Sequence, residues 1–210
     1  MRTKRLARLG AVAAVAALAV TGWLAPAWGQ AAQPATVASD GMSMSPAAAT
    51  SLANQLAAAR QATAKYATDL ARAKADGYFI ITKMMPNMGY HFLNPNISGF
   101  SVSKPQILVY EHRGGTWQLG ALEWVFPSMP ASVPLPNATF GSFPAACHYA
   151  DGTFVPDKTA ATCPKTAPGS HAKFTFWHPD LITMHVWIWY PNPAGLYSST
   201  NPDVAPFNHG

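Results

Sequence analysis

The sequence has few charged residues and almost no surplus of either sign once its first segment is set aside. Among 210 residues, 14 are Lys or Arg and nine are Asp or Glu. Four of the basic residues and none of the acidic ones lie in residues 1–31, so 14 − 4 = 10 basic and nine acidic residues remain, a net charge of +1. A near-neutral chain has no electrostatic attraction for nucleic acid or an anionic membrane surface, and we expect neither as a partner.

Several catalytic motifs are missing as well. The chain has no Gly-x-Ser-x-Gly motif, no phosphate-binding glycine loop, no His-Glu-x-x-His motif and no Cys-x-x-Cys pair. Nothing therefore indicates nucleophilic catalysis on a known pattern, or a metal site built from closely spaced ligands. After residue 31, no segment is long and apolar enough to cross a membrane, which takes about 20 residues.

Residues 1–31 have the three regions of a secretory signal peptide. Basic residues come first, an apolar run follows from Leu9 to about Leu24, and small residues lie around Ala27 and Ala31. We expect cleavage after Ala31, with Ala27 as the second choice and a retained membrane anchor as the alternative. The predicted organisation is a signal peptide (1–31), a flexible leader (32–45) and a single secreted domain (46–210), working outside the cell or on the exterior of its envelope.

Cys147 and Cys163 are the only cysteines. In an exported protein a pair this close in sequence predicts a disulfide, with a loop between the two residues. A redox pair and thiolate metal ligands are the alternatives, and neither has the usual spacing in its favour.

The pattern along the rest of the chain predicts an α+β fold. Ser45 and Pro46 are typical of a helix start, and an apolar stripe then continues to a stop at Gly77. Strand-like segments follow at 78–82, 106–112, 117–126, 173–177 and 182–190, the last two as a hairpin joined at 178–180. We expect one long N-terminal helix packed on a curved antiparallel sheet.

A few polar residues occupy strand positions that should be buried. His185 and Glu123 each share a strand face with mostly apolar neighbours, and a buried carboxylate must be paired, protonated or bound to a metal. His91 follows the first strand, and His178 opens the turn before the His185 strand. We predict a metal site with His91, Glu123 and His185 as ligands and His178 as the fourth. Glu111, next to a turn, is expected to be hydrated.

Zinc, copper and iron all suit histidine and carboxylate ligands. His148 is a further histidine, placed in the disulfide loop, and Met42 and Met44 are possible accessory ligands for Cu(I). Two alternatives remain open for Glu123 and His185: a hydrogen-bonded pair that bridges strands without metal, and an acid–base pair in a metal-free active site.

Several short motifs follow one another in a fixed order along the chain. They are 75–78, 88–95 with its Gly-x-His, 105–110, 122–124 and a closing His-x-Trp-x-Trp followed by Asn-Pro-x-Gly at 185–202. Over residues 60–205 the chain resembles a group of secreted bacterial proteins of unassigned function, common in actinobacteria. The resemblance implies export and one compact domain, and it implies no catalytic residues.

Three functions are compatible with these features. The first is a secreted protein that binds a transition metal in its β core. The second is an enzyme acting on a small apolar molecule in a tryptophan-lined pocket, with His185 and Glu123 as acid and base. The third is a structural, envelope-associated domain in which these two residues form only a buried hydrogen bond.

Overall fold

The computed structural model describes residues 44–209. The predicted signal peptide and the predicted leader up to residue 43 lie outside these residues. No helix in the described range is long and apolar enough to cross a membrane.

The N-terminal helical segment is divided into α1 (Pro46–Thr63), a short 3-10 turn (Ala64–Tyr66) and α2 (Leu70–Ala75). The Ser45 hydroxyl accepts a hydrogen bond from the Ala48 amide and caps α1, as predicted. The prediction of one continuous helix is wrong because the Asp69 carboxylate accepts from the Arg72 amide and starts a new helix. Gly77, with φ of +101°, follows α2 in the left-handed conformation that glycine tolerates.

Nine strands lie within the described residues and form two antiparallel sheets. In chain order they are β1 (Phe79–Met85), β2 (Gly89–Leu93), β3 (Ile107–Arg113), β4 (Thr116–Phe126), β5 (Gly141–Phe143), β6 (Ala146–Tyr149), β7 (Phe154–Pro156), β8 (Phe174–His178) and β9 (Leu181–Val186). The large sheet has the order β1-β2-β3-β4-β9-β5 and is curled, and the small sheet has the order β7-β6-β8. The α+β class with a curved antiparallel sheet is thus confirmed.

The predicted hairpin of 173–177 and 182–190 is wrong. β8 pairs with β6 in the small sheet, whereas β9 pairs with β4 and β5 in the large one. The intervening Pro179 and Asp180 carry the chain from one sheet to the other, and the Asp180 carboxylate accepts a hydrogen bond from the Ala145 amide at 2.8 Å. β9 also ends at Val186, because the Trp187 amide bonds to the Leu196 carbonyl instead of continuing the ladder.

The two faces of the large sheet differ in chemistry. One face packs on the helices through an apolar core that includes Phe92, Leu108, Leu122, Trp124 and Met184. Because side chains alternate across a strand, the neighbours of these residues face the other way. That second face carries the polar residues predicted from the sequence, and it positions the site described below.

The disulfide between Cys147 and Cys163 is confirmed, with Cα atoms 5.7 Å apart. The segment between them is not a loop, since it contains the last two residues of β6, all of β7 and a short 3-10 helix. Cys147 lies in the middle of the small sheet and is fully buried.

Reduction of this disulfide should lower the free energy of unfolding by about 3 kcal/mol, since it frees a loop of some 15 residues in the unfolded chain. Urea unfolding with and without reductant measures the difference, and a Cys147→Ala/Cys163→Ala variant, which reductant should not affect, is the control. Equal unfolding midpoints for the oxidised and reduced parent would contradict this.

Candidate metal centre

Three strands of the large sheet contribute one polar side chain each to a common point. His91 lies on β2, Glu123 on β4 and His185 on β9. Glu123 and His185 are direct cross-strand partners, whereas β3 separates His91 from Glu123. Strands two places apart in a flat sheet are roughly 10 Å apart, so it is the curl of this sheet that brings His91 to the other two.

We call these three residues the His-Glu-His group. The Nε2 atom of His91 lies 3.5 Å from Oε2 of Glu123, and Nε2 of His185 lies 3.5 Å from Oε1. One ligand atom from each residue can be chosen so that all three lie within 4.8 Å of one another. All three residues are buried, with exposed fractions of 4 to 5%.

These distances fit a shared ion better than direct hydrogen bonds. Charge-assisted N–H···O bonds are usually 2.7–2.9 Å long, and 3.5 Å is well beyond that range. Two atoms bonded to one tetrahedral ion at about 2.0–2.2 Å lie roughly 3.3–3.6 Å apart. The imidazole centres of His91 and His185 are 5.9 Å apart, with the rings perpendicular, which also leaves room for an ion between them.

Among residues 44–209, no hydrogen bond is made by the Nε2 atoms of His91 and His185, which face Glu123. The Oγ1 atom of Thr82 lies 2.8 Å from Nδ1 of His91 and also accepts the His91 backbone N–H at 3.1 Å. Thr82 therefore holds the imidazole at Nδ1, the nitrogen opposite the one that faces Glu123. Metal-bound histidines are commonly held in this way by a hydrogen bond at the nitrogen that does not bind the metal. Nε2 of His185 is buried and has no hydrogen-bond partner among residues 44–209.

Burial favours the uncharged form of all three groups. It raises the pKa of Glu123 to about 8 and lowers the pKa of His185 to about 4. Burial also lowers the pKa of His91 to about 3, with a further contribution from His185 and an opposing one from the Gly89 carbonyl. Two neutral imidazoles with a carboxyl group form a donor set that a cation can use once the carboxyl proton leaves.

The group borders a cavity of about 460 Å³. Most of the lining is apolar and comes from both sheets, with Ile81, Met85, Met88, Leu93, Ile107, Val125, Phe143, Phe176 and Leu181. A pocket of this size and character suits a small, mainly apolar molecule. In the described part of the chain no tryptophan lines this cavity, so the predicted tryptophan-lined pocket is wrong.

The other predicted ligands are not part of the His-Glu-His group. His178 lines the same cavity but is not in the His-Glu-His group; its ring packs beside that of His148. Met42 lies outside the described residues, and Met44 directly precedes the Ser45 cap of α1.

Glu111 differs from its prediction. Its side chain is fully buried, and neither carboxylate oxygen has a hydrogen-bond partner within residues 44–209. It packs against the backbone of Gly89, where a Cβ atom would lie only 2.7 Å from Oε1 of Glu111. Burial raises the pKa of Glu111 to about 7. Its position near the β3–β4 turn suggested that it would be hydrated, but the buried part of β3 extends as far as Glu111.

Comparison with known proteins adds no relative: no family model, curated protein or solved structure matches the chain.

Replacement of Thr82 by Val should weaken metal binding by about 10- to 100-fold, the usual cost of losing an outer-shell partner. The change removes the hydroxyl that holds the His91 ring. Titration against a chromophoric chelator measures the affinity. Thr183→Val is the control, because Thr183 lines the same cavity without bonding to the group; equal affinities for the two variants would contradict a role for Thr82.

Proposed function

We propose that this protein is a secreted metal-binding protein whose His-Glu-His group holds a transition-metal ion. The observation that carries the proposal is the spacing of the donor atoms: two imidazole nitrogens 3.5 Å from the two oxygens of one buried carboxylate. One donor atom from each of the three residues lies within 4.8 Å of the others, so the three residues could hold one ion between them.

The donor set favours zinc, iron or copper over calcium or magnesium. Calcium and magnesium prefer six or more oxygen ligands, whereas two imidazoles and one carboxylate suit borderline metals. Three protein ligands also leave at least one coordination position open, as in catalytic rather than structural zinc sites. We propose that the open position faces the cavity and receives water or a ligand.

A second candidate function is metal-assisted chemistry on a small apolar molecule. The apolar cavity beside the group supports it, because a bound molecule would lie next to an ion that can polarise it or activate water. A purely structural role gains less support, since a structural core has little use for an open cavity beside three buried polar groups.

Export is part of the same proposal. The signal-like pattern of residues 1–31 and the Cys147–Cys163 disulfide support it, because disulfides persist in oxidising compartments. The resemblance to secreted actinobacterial proteins agrees. Mass spectrometry of the protein recovered from bacterial culture medium tests it: a mature chain starting at Ala32 is expected, and an intact N-terminus retained in the cells would count against export.

The test of the metal proposal is elemental analysis of the protein purified without chelator or affinity tag, beside His185→Ala. We expect near-stoichiometric zinc, iron or copper in the parent and loss of that metal in the variant. His112→Ala, which removes a partly exposed imidazole outside the cavity lining, should retain the metal. A parent that stays metal-free after incubation with all three ions would refute the proposal.

A further inference from the structure

Two more histidines line the same cavity from the small sheet. His148 on β6 and His178 on β8 are 1% and 9% exposed, and their ring centres are 5.0 Å apart. We call them the histidine pair. Neither belongs to the His-Glu-His group, and they come from a different sheet.

Hydrogen bonds determine which nitrogen of each ring carries the proton. Nδ1 of His148 lies 2.8 Å from the Ile81 carbonyl oxygen, and Nδ1 of His178 lies 2.6 Å from the Pro179 carbonyl oxygen. Since a carbonyl oxygen only accepts, both Nδ1 atoms are protonated and donate. In a neutral ring the lone pair is then on Nε2, and donation from the opposite nitrogen to a carbonyl is the usual arrangement of a metal-bound histidine.

Both Nε2 atoms are buried, and neither has a hydrogen-bond partner among the described residues. Two buried acceptors without donors are costly, and they indicate that something else satisfies them. Two imidazoles that share one ion at about 2.0–2.1 Å have ring centres roughly 4.5–6.5 Å apart, depending on the angle at the ion. The 5.0 Å separation of the pair lies within this range. We propose that the histidine pair forms a second metal position in the cavity, selective for Cu(I).

Charge is the reason for choosing a monovalent ion. The histidine pair is neutral: burial lowers the pKa of His148 to about 4, and burial likewise lowers that of His178, against its Pro179 hydrogen bond and the charge of Asp180. The Asp180 side chain is exposed and already accepts from the Ala145 amide. A divalent ion would therefore be buried without a compensating carboxylate, whereas Cu(I) carries half that charge.

The surroundings suit a soft ion as well. The His148 ring stacks on Phe176, with ring centres 4.6 Å apart, and the His178 ring stacks on Phe143 at 5.3 Å. Met85 and Met88 line the same cavity, and their thioethers are soft donors of the kind that Cu(I) prefers. The His-Glu-His group has the carboxylate that the pair lacks, so the two positions should prefer different ions.

The test is an anaerobic Cu(I) titration in competition with bicinchoninate. It is run on chelator-treated protein and on protein preloaded with Zn(II), so that zinc occupies the His-Glu-His group. We expect the zinc-loaded parent to retain stoichiometric copper, and the His148→Phe and His178→Phe variants to retain at least about tenfold less. His112→Phe is the matched control, because the His112 ring also stacks on an aromatic residue, Trp117, but does not line the cavity.

The outcomes separate this inference from the proposed function. His185→Ala should lose the zinc of the His-Glu-His group and still bind added Cu(I) at the histidine pair, whereas the two variants of the pair should keep that zinc and fail to retain the added Cu(I). His178→Phe and the X-ray absorption spectrum of the copper-loaded parent, which should show nitrogen ligands, remain informative if His148→Phe does not fold. Failure of the parent to retain Cu(I) after incubation with Zn(II), or retention of Cu(I) by both variants of the pair at the level of the parent, would overturn the inference whether or not zinc binds.

Discussion

Replacement of Glu123 by Gln is expected to weaken metal binding by at least about 100-fold, more than the 10- to 100-fold cost of losing an outer-shell partner. Glutamine keeps the size of the side chain but cannot carry the negative charge that offsets a bound cation. The metal-free variant should nevertheless be at least as stable as the metal-free parent at neutral pH. Burial raises the pKa of Glu123 to about 8, so the native protein gains nothing from ionising this group.

The substitution should lower the metal affinity without lowering the stability of the metal-free protein. This combination distinguishes a metal ligand from a residue that only stabilises the fold. Affinity is measured by competition with a chromophoric chelator, and stability by urea unfolding with excess chelator present. Glu111→Gln is the matched control, because it removes another buried carboxyl that does not line the cavity. Unchanged affinity together with a large loss of stability would show that Glu123 serves the fold and not a metal.

The same Glu111→Gln substitution should remove part of the pH dependence of stability. The ordinary pKa of a glutamate is 4.5, and burial raises that of Glu111 to about 7 in the native protein. Below pH 4.5 both states are protonated. Between 4.5 and 7 the unfolded chain loses its proton while the native state keeps it, so stability falls as the pH rises and levels off above 7. The fall attributable to Glu111 is about 3 kcal/mol.

The buried histidines act in the opposite direction, because unfolding exposes them to protonation below their ordinary pKa of 6.5. The effect of Glu111 is therefore measured as a difference. Urea unfolding of Glu123→Gln is compared with that of Glu123→Gln/Glu111→Gln across this pH range, with chelator present. The double variant should gain stability relative to the single one as the pH rises, and a constant difference would show that Glu111 is not a buried carboxyl in solution.

Much of the fold could be predicted because local patterns agree with the tertiary structure. The capping Ser45, the apolar alternation of β3 and β4 and the turn between them all act over a few residues. The break at Asp69 was missed because a side-chain cap competes with an apolar stripe that by itself would continue the helix. The pairing of β8 with β6 depends on contacts about 30 residues apart, which periodicity does not reveal.

In the candidate site, too, local patterns predicted some features, whereas others depend on long-range contacts. Burial of polar residues on apolar strand faces indicated Glu123 and His185, and the cross-strand register places them side by side. The position of His91 next to them depends on the curl of the sheet, which the sequence does not specify. The pairing of His178 with His148 could not be predicted while β8 and β9 were taken for a hairpin, since that topology places His178 in the turn between these two strands and away from β6.

The most direct test of the metal centre is a crystal structure of the protein purified without chelator, with anomalous data collected on both sides of the absorption edges of zinc, copper and iron. We expect an anomalous peak within about 2.0–2.3 Å of Nε2 of His91, Nε2 of His185 and an oxygen of Glu123. A structure with no anomalous peak there after soaking in all three ions, and with Glu123 hydrogen-bonded directly to one of the histidines, would contradict it.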